Sequence, residues 1–115
     1  MKNNKDFMSI YIKGRQYVLI AKNEIDNGDT LGEINYTTKQ ISISKDSLSQ
    51  LDHVILHELI HGFFHECGMR DWSANETLIN WIAHNIRDIM DVYDEIKHSP
   101  LYKNLLEHEY NHVME

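Results

Sequence analysis

The chain has 115 residues, 42% hydrophobic and 25% charged, which fits one globular domain over 1–115 with a core of modest size. Its formal net charge of −7 and the scatter of its 11 basic residues exclude a phosphate-tracking surface, so no nucleic-acid partner is expected. Apolar stretches are broken well short of membrane-spanning length, the N-terminus lacks a secretion signal, and the lone Cys67 has no partner for an internal disulfide; a cytoplasmic protein is expected.

The first half reads as strands. Ser9 to Lys13 alternates, Gly14-Arg15 offers a tight turn, and Gln16 to Ile20 continues, which predicts a hairpin. Asn23 to Thr30 is a polar loop around Asn27-Gly28-Asp29. Leu31 to Tyr36 and Gln40 to Ser44 then give two further strands, with Ile41 and Ile43 on one face and the serines turned outward. A small, largely antiparallel sheet of three or four strands is the simplest account.

The second half reads as helices, so the fold class expected is α+β. Asp46 or Ser47 caps a helix from about Ser49 to Cys67, ended by Gly68. Its apolar cover (Leu51, Ile55, Leu59 and Phe63, flanked by Leu56, Ile60 and Phe64) predicts a mostly buried helix. A second helix starts near Ser73 to Asn75 and carries Ile79, Ile82, Ala83, Ile86, Ile89 or Met90, Tyr93 and Ile96 at helical spacing. Ser99-Pro100 opens a third, with Leu101, Leu105 and Leu106.

The first of these helices contains His57-Glu58-Leu59-Ile60-His61. Imidazoles at i and i+4 share one helix face, where a single tetrahedral zinc takes both. The Glu after the first His is then placed to take a proton from a metal-activated water. The pattern recurs at His108-Glu109-Tyr110-Asn111-His112, but there the interior residues are polar and only three residues follow. That copy reads as a solvated helix end. In the first copy, apolar neighbours bury polar groups that need partners, at a cost of order 1–3 kcal/mol for each one left unpaired.

Two histidines do not hold a catalytic zinc, so a third protein ligand is needed. Glu76 lies fifteen residues after His61, at the start of the second helix, and projects from its core-facing stripe one turn before Ile79. Asp71 lies in the connecting loop. Cys67 is six residues after His61, but Phe64 stands where the chain would need Gly to turn, which argues against it. Ser73-Ala74-Asn75-Glu76 also matches a capping box, in which the Glu would close back on the Ser backbone. The ligand reading is favoured because the His pair otherwise lacks a partner. Asn80, one turn after Glu76, is placed to accept the outer N–H of a ligating His. His53, His65 and His84 read as surface or satisfied core residues.

With this motif and a downstream Glu in place, the chain resembles the zincin metallopeptidases of the gluzincin type. It looks most like the small phage- and prophage-encoded proteins grouped with the ImmA/IrrE family and the minigluzincins. The resemblance runs over about residues 8 to 96, through the hairpin at 13–18, Leu31 to Tyr36, Ile41-Ser42-Ile43, Leu56 to Phe63 and Asn75-Glu76. It implies one zinc ion on His57, His61 and Glu76, and Glu58 as general base. It further implies a peptide or protein substrate pairing with an edge strand near Gly32 to Tyr36. Tyr36 and His84 are the candidates for steadying the oxyanion. The expected function is a zinc-dependent metallopeptidase; the alternative is a non-catalytic, zinc-stabilised phage accessory or regulatory binding protein.

Overall fold

The structure is a computed structural model that describes the backbone of residues 6–114 and the side chains of 6–107. It is α+β, with a four-stranded sheet and four helices: β1 (Phe7–Ile12), β2 (Arg15–Lys22), β3 (Gly32–Asn35), β4 (Gln40–Ser44), α1 (Leu51–Glu66), α2 (Arg70–Ser73), α3 (Glu76–Lys97) and α4 (Pro100–Met114). The second His-Glu-x-x-His string falls on α4, and its side chains lie outside the described residues. Among the described residues no helix is long and apolar enough to cross a membrane.

The sheet order is β1-β2-β4-β3. Two pairings are antiparallel, β1 with β2 and β3 with β4, while β2 and β4 run parallel, so the sheet is mixed. The hairpin turns on Lys13-Gly14, both with positive φ (51° and 82°), one residue earlier than the Gly14-Arg15 expected. The parallel step places β4 inside the sheet and leaves β3 at its edge. That position explains one correction. Ser42 and Ser44 were expected to face outward, yet they are 3% and 1% exposed, because an interior strand is covered along both flanks. The Ser44 hydroxyl is satisfied by accepting from Asp46 N–H (3.1 Å). It thereby caps the 3-10 segment Lys45–Gln50, whereas Asp46 and Ser47, expected to cap α1, lie within that segment and α1 follows Gln50 with no side-chain cap.

The chain divides into two compact units, Met1–His84 and Asn85–Glu115. In the first, α1 packs on the sheet around a core of Ile12, Tyr17, Ile41, Ile43 and Val54. Gly62 lets the helix come this close, since a Cβ there would stand 2.8 Å from Ile12 Cδ1. The expected burial of α1 holds for one side only. Val54, Glu58, His61 and Gly62 are buried, whereas Leu51 and Phe63 are 43% and 44% exposed. A single small sheet covers one helix face. On another, Leu56, Leu59, Ile60, Phe63, Phe64 and Cys67 line an apolar groove of about 380 Å³ with Met69 and Ile82. Helix α1 ends as expected at Gly68, with Met69 N–H donating to Phe64 O and Gly68 N–H to His65 O.

In the second unit, α4 begins at Pro100 and Ser99 Oγ accepts from Tyr102 N–H (3.1 Å), as expected of a Ser-Pro start. The apolar stripe of α3 is helical throughout. Ile79 and Ala83 are buried in the first unit, while Ile89, Tyr93 and Ile96 in the second are about half exposed.

A polar clamp fixes the C-terminal end of α1. Glu66 accepts from the phenol of Tyr17, a β2 residue with no exposed surface, and from Lys39 Nζ at 2.8 Å. The Lys39 ammonium also sits 5.3 Å from the Tyr17 ring centroid. These donors hold the Glu66 carboxyl below its ordinary value, so they stabilise the ionised form more than the neutral one. Burial and the adjoining carboxylate raise the Tyr17 phenol, so it stays a donor. Glu66→Gln should therefore cost up to about 1.5–3 kcal/mol at neutral pH, the range for hydrogen bonds to a charged group. Because a depressed carboxyl loses its advantage as pH falls through the folded-state value, the gap between the two melting curves should close below about pH 4. A gap that persists unchanged at pH 3 would remove the charge from this account.

Candidate metal centre

Three elements of the first unit bring the site together. Helix α1 places His57 and His61 one turn apart on the same face, with their rings 4.7 Å apart. The chain leaves α1 through Gly68, makes the single turn of α2, and starts α3 at Glu76. Glu76 Oε2 then stands 3.1 Å from His57 Nε2, and Oε1 stands 3.1 Å from His61 Nε2. The two Nε2 atoms are themselves 3.1 Å apart.

These spacings fit a metal. A tetrahedral ion with bonds of about 2.0–2.1 Å has ligand–ligand edges of about 3.3 Å. The protonation pattern fits as well. Asn80 Oδ1 only accepts, so the 2.9 Å contact requires His57 Nδ1 to carry the proton, which leaves a lone pair on Nε2. Burial and the neighbouring His61 hold the His57 pKa below its ordinary value, which keeps the ring in the neutral form a metal requires. His57, His61 and Glu76 thus form a group that could hold a metal ion.

No protein-family model, curated protein or solved structure matches this chain. The chemistry of the site therefore rests on its own residues.

Glu58 is 7% exposed and its side chain lies against Gly32 of the edge strand. Burial, reinforced by the carboxylates of Glu76 and Glu33, raises its pKa to about 7. Gly32 on the edge strand makes room for it. A Cβ at Gly32 would meet Glu58 Oε2 at 3.1 Å and Val54 Cγ1 at 2.7 Å. Val54 is in the core and has little freedom to retreat. Gly32→Ala should therefore destabilise the fold by about 1–3 kcal/mol through overpacking. It should also displace Glu58 while leaving the ligand triangle intact. Thermal melts and a metal titration on the variant check both, and an unchanged melting temperature would refute the close approach.

The remaining expected residues separate cleanly. Asn80 occupies the position expected of it and also reaches His53. Asp71 and Cys67, both exposed, lie outside the ligand group. His65 stacks on Tyr36 at 4.0 Å, and His84 packs against His53 at 4.2 Å. The buried His53 Nδ1 has no hydrogen-bond partner. Tyr36 donates to or accepts from Ser73 Oγ at 2.8 Å. Its phenol is raised mainly by burial, with Glu58 and Glu76 adding to the effect, while the Ser73 contact opposes it.

In the sequence Ser73 is marked only as a possible helix cap, not as a residue of the site. The cap is Asn75, whose Oδ1 accepts from Leu78 N–H at 3.0 Å, so neither Ser73 nor Glu76 is used at the helix start. The signal was present in the sequence. Asn75 directly precedes Glu76 and is as good a cap as Ser, which frees Ser73 for another task.

Proposed function

We propose that the chain is a zinc-dependent metallopeptidase of the gluzincin type. One observation carries the reading: Glu76 closes on both Nε2 atoms of the His57/His61 pair, and the buried carboxyl of Glu58 directly follows His57 in the same helix. Two imidazoles and one carboxylate are a ligand set that suits zinc and leaves a fourth position open. When bound, zinc supplies Lewis acidity toward a peptide carbonyl and lowers the pKa of a water.

The chain's own groups do the rest. Asn80 fixes the His57 tautomer. Glu58 accepts one proton of the attacking water as its oxygen bonds the peptide carbon, then delivers that proton to the leaving nitrogen as the C–N bond breaks. The edge of β3 not paired with β4 offers backbone groups to an extended peptide, with Gly32 bringing that strand against Glu58.

One observation favours a non-catalytic zinc-stabilised binding protein instead. The Tyr36 hydroxyl is engaged by Ser73, so the candidate oxyanion partner is already occupied. Metal analysis of the purified protein, with cleavage of a peptide library before and after chelation, decides the matter. Stoichiometric zinc with chelator-sensitive cleavage supports the peptidase. Zinc without cleavage supports the binding protein, and absence of zinc binding overturns both.

A further inference from the structure

Ser73 closes α2 and is 5% exposed, and its hydroxyl meets two other segments of the first unit. It donates to His61 O at 3.0 Å. The same oxygen lies 2.8 Å from the Tyr36 hydroxyl and 3.5 Å from His61 Nδ1. A serine hydroxyl has one proton and two lone pairs. With the proton committed to His61 O, the oxygen presents only lone pairs to the other two groups. Tyr36 is therefore the donor in the phenol contact, and His61 Nδ1 faces a lone pair that favours an N–H there. A proton on Nδ1 leaves Nε2, the atom 3.1 Å from Glu76, with its lone pair free.

We infer that Ser73 is a positioning residue for the metal centre: it selects the ligating tautomer of His61 and ties that ligand to Tyr36, next to the edge strand β3. The inference rests on the metal-site part of the proposed function. It makes the two histidines equivalent, with Asn80 fixing the outer nitrogen of His57 and Ser73 that of His61. It also gives Tyr36 a route to the metal that requires no contact with it. Tyr36 directly follows β3 (Gly32–Asn35), so a peptide laid along that strand would act on the same hydroxyl chain.

The test measures zinc affinity by competition with a chromophoric chelator for the wild type, Ser73→Ala, Tyr36→Phe and the double variant. Ring-nitrogen NMR of His61 in the metal-free full-length protein accompanies it. Ser73→Ala should weaken zinc binding about 10–100-fold, as for other residues that orient a metal ligand. It should also replace the fixed Nδ1–H signature of His61 with a tautomer mixture, which a merely structural serine would not do. Tyr36→Phe should weaken binding less, and should add nothing in the Ser73→Ala background, because its effect passes through Ser73.

Zinc affinity of Ser73→Ala within about twofold of wild type, with His61 still protonated on Nδ1, would overturn the inference. Full additivity of the two substitutions would overturn the link to Tyr36. Should Ser73→Ala not fold, Tyr36→Phe carries the test: weakened zinc binding at an unchanged metal-free melting temperature supports the inference, and unchanged binding overturns it. Failure of the underlying metal site looks different. Wild type and Glu76→Ala would then bind zinc equally poorly, whatever the tautomer of His61.

Discussion

In the proposed zinc peptidase, the Glu58→Gln variant is expected to bind zinc as the wild type does and to cleave peptide more slowly by a factor of roughly 10²–10⁴, the range for removing a positioned general base. The amide has nearly the shape of the carboxylate but takes no proton from water. The ligand triangle of His57, His61 and Glu76 does not include Glu58, so metal stoichiometry should be unchanged. Stability should move the other way from activity. Glu58 is buried, and its carboxyl is raised by desolvation and by the carboxylates of Glu76 and Glu33. Removing that charge relieves the strain, so the variant should melt at or above the wild-type temperature. Zinc analysis, thermal melts and kcat/KM on one cleaved peptide read all three quantities. Undiminished cleavage in the variant would remove Glu58 from the mechanism.

The second large effect concerns Glu76→Ala. Its side chain is 61% exposed, so in chelator the substitution should hardly change the melting temperature. With zinc the outcome should differ sharply. A ligand that binds only the folded state stabilises it by about 4 kcal/mol at a thousandfold excess over its Kd, and the variant should lose most of that gain. His61→Ala should lose the zinc-induced shift too, but His61 is buried and hydrogen-bonded, so it should also lower the melting temperature in chelator. Melting each protein with zinc and with chelator separates the two behaviours. If Glu76→Ala keeps the full zinc-induced shift, the third ligand is elsewhere.

Much of the fold was legible because its signals are local. Alternation in Ser9 to Ile20 and in Gln40 to Ser44, with turn residues between, is enough to name strands. Helical spacing and Gly68 name α1 and its end. The parallel pairing of β2 with β4 was not legible, because pairing partners are set by contacts distant in sequence. From that one step follow the burial of Ser42 and Ser44 and the edge position of β3.

The candidate site divides the same way. Spacing by itself determined that His57 and His61 share a face and that Glu58 lies beside them, because 3.6 residues per turn is a property of the backbone. It also placed Glu76 and Asn80 one turn apart on the next helix. Only the tertiary structure decided that Glu76 reaches both imidazoles, that Asn75 rather than Ser73 caps α3, and that Ser73 turns its one proton toward His61. The reason is physical. A capping box and a ligand place the same residue types at the same positions, and only the direction of the carboxylate, set by how α1, α2 and α3 meet, tells them apart.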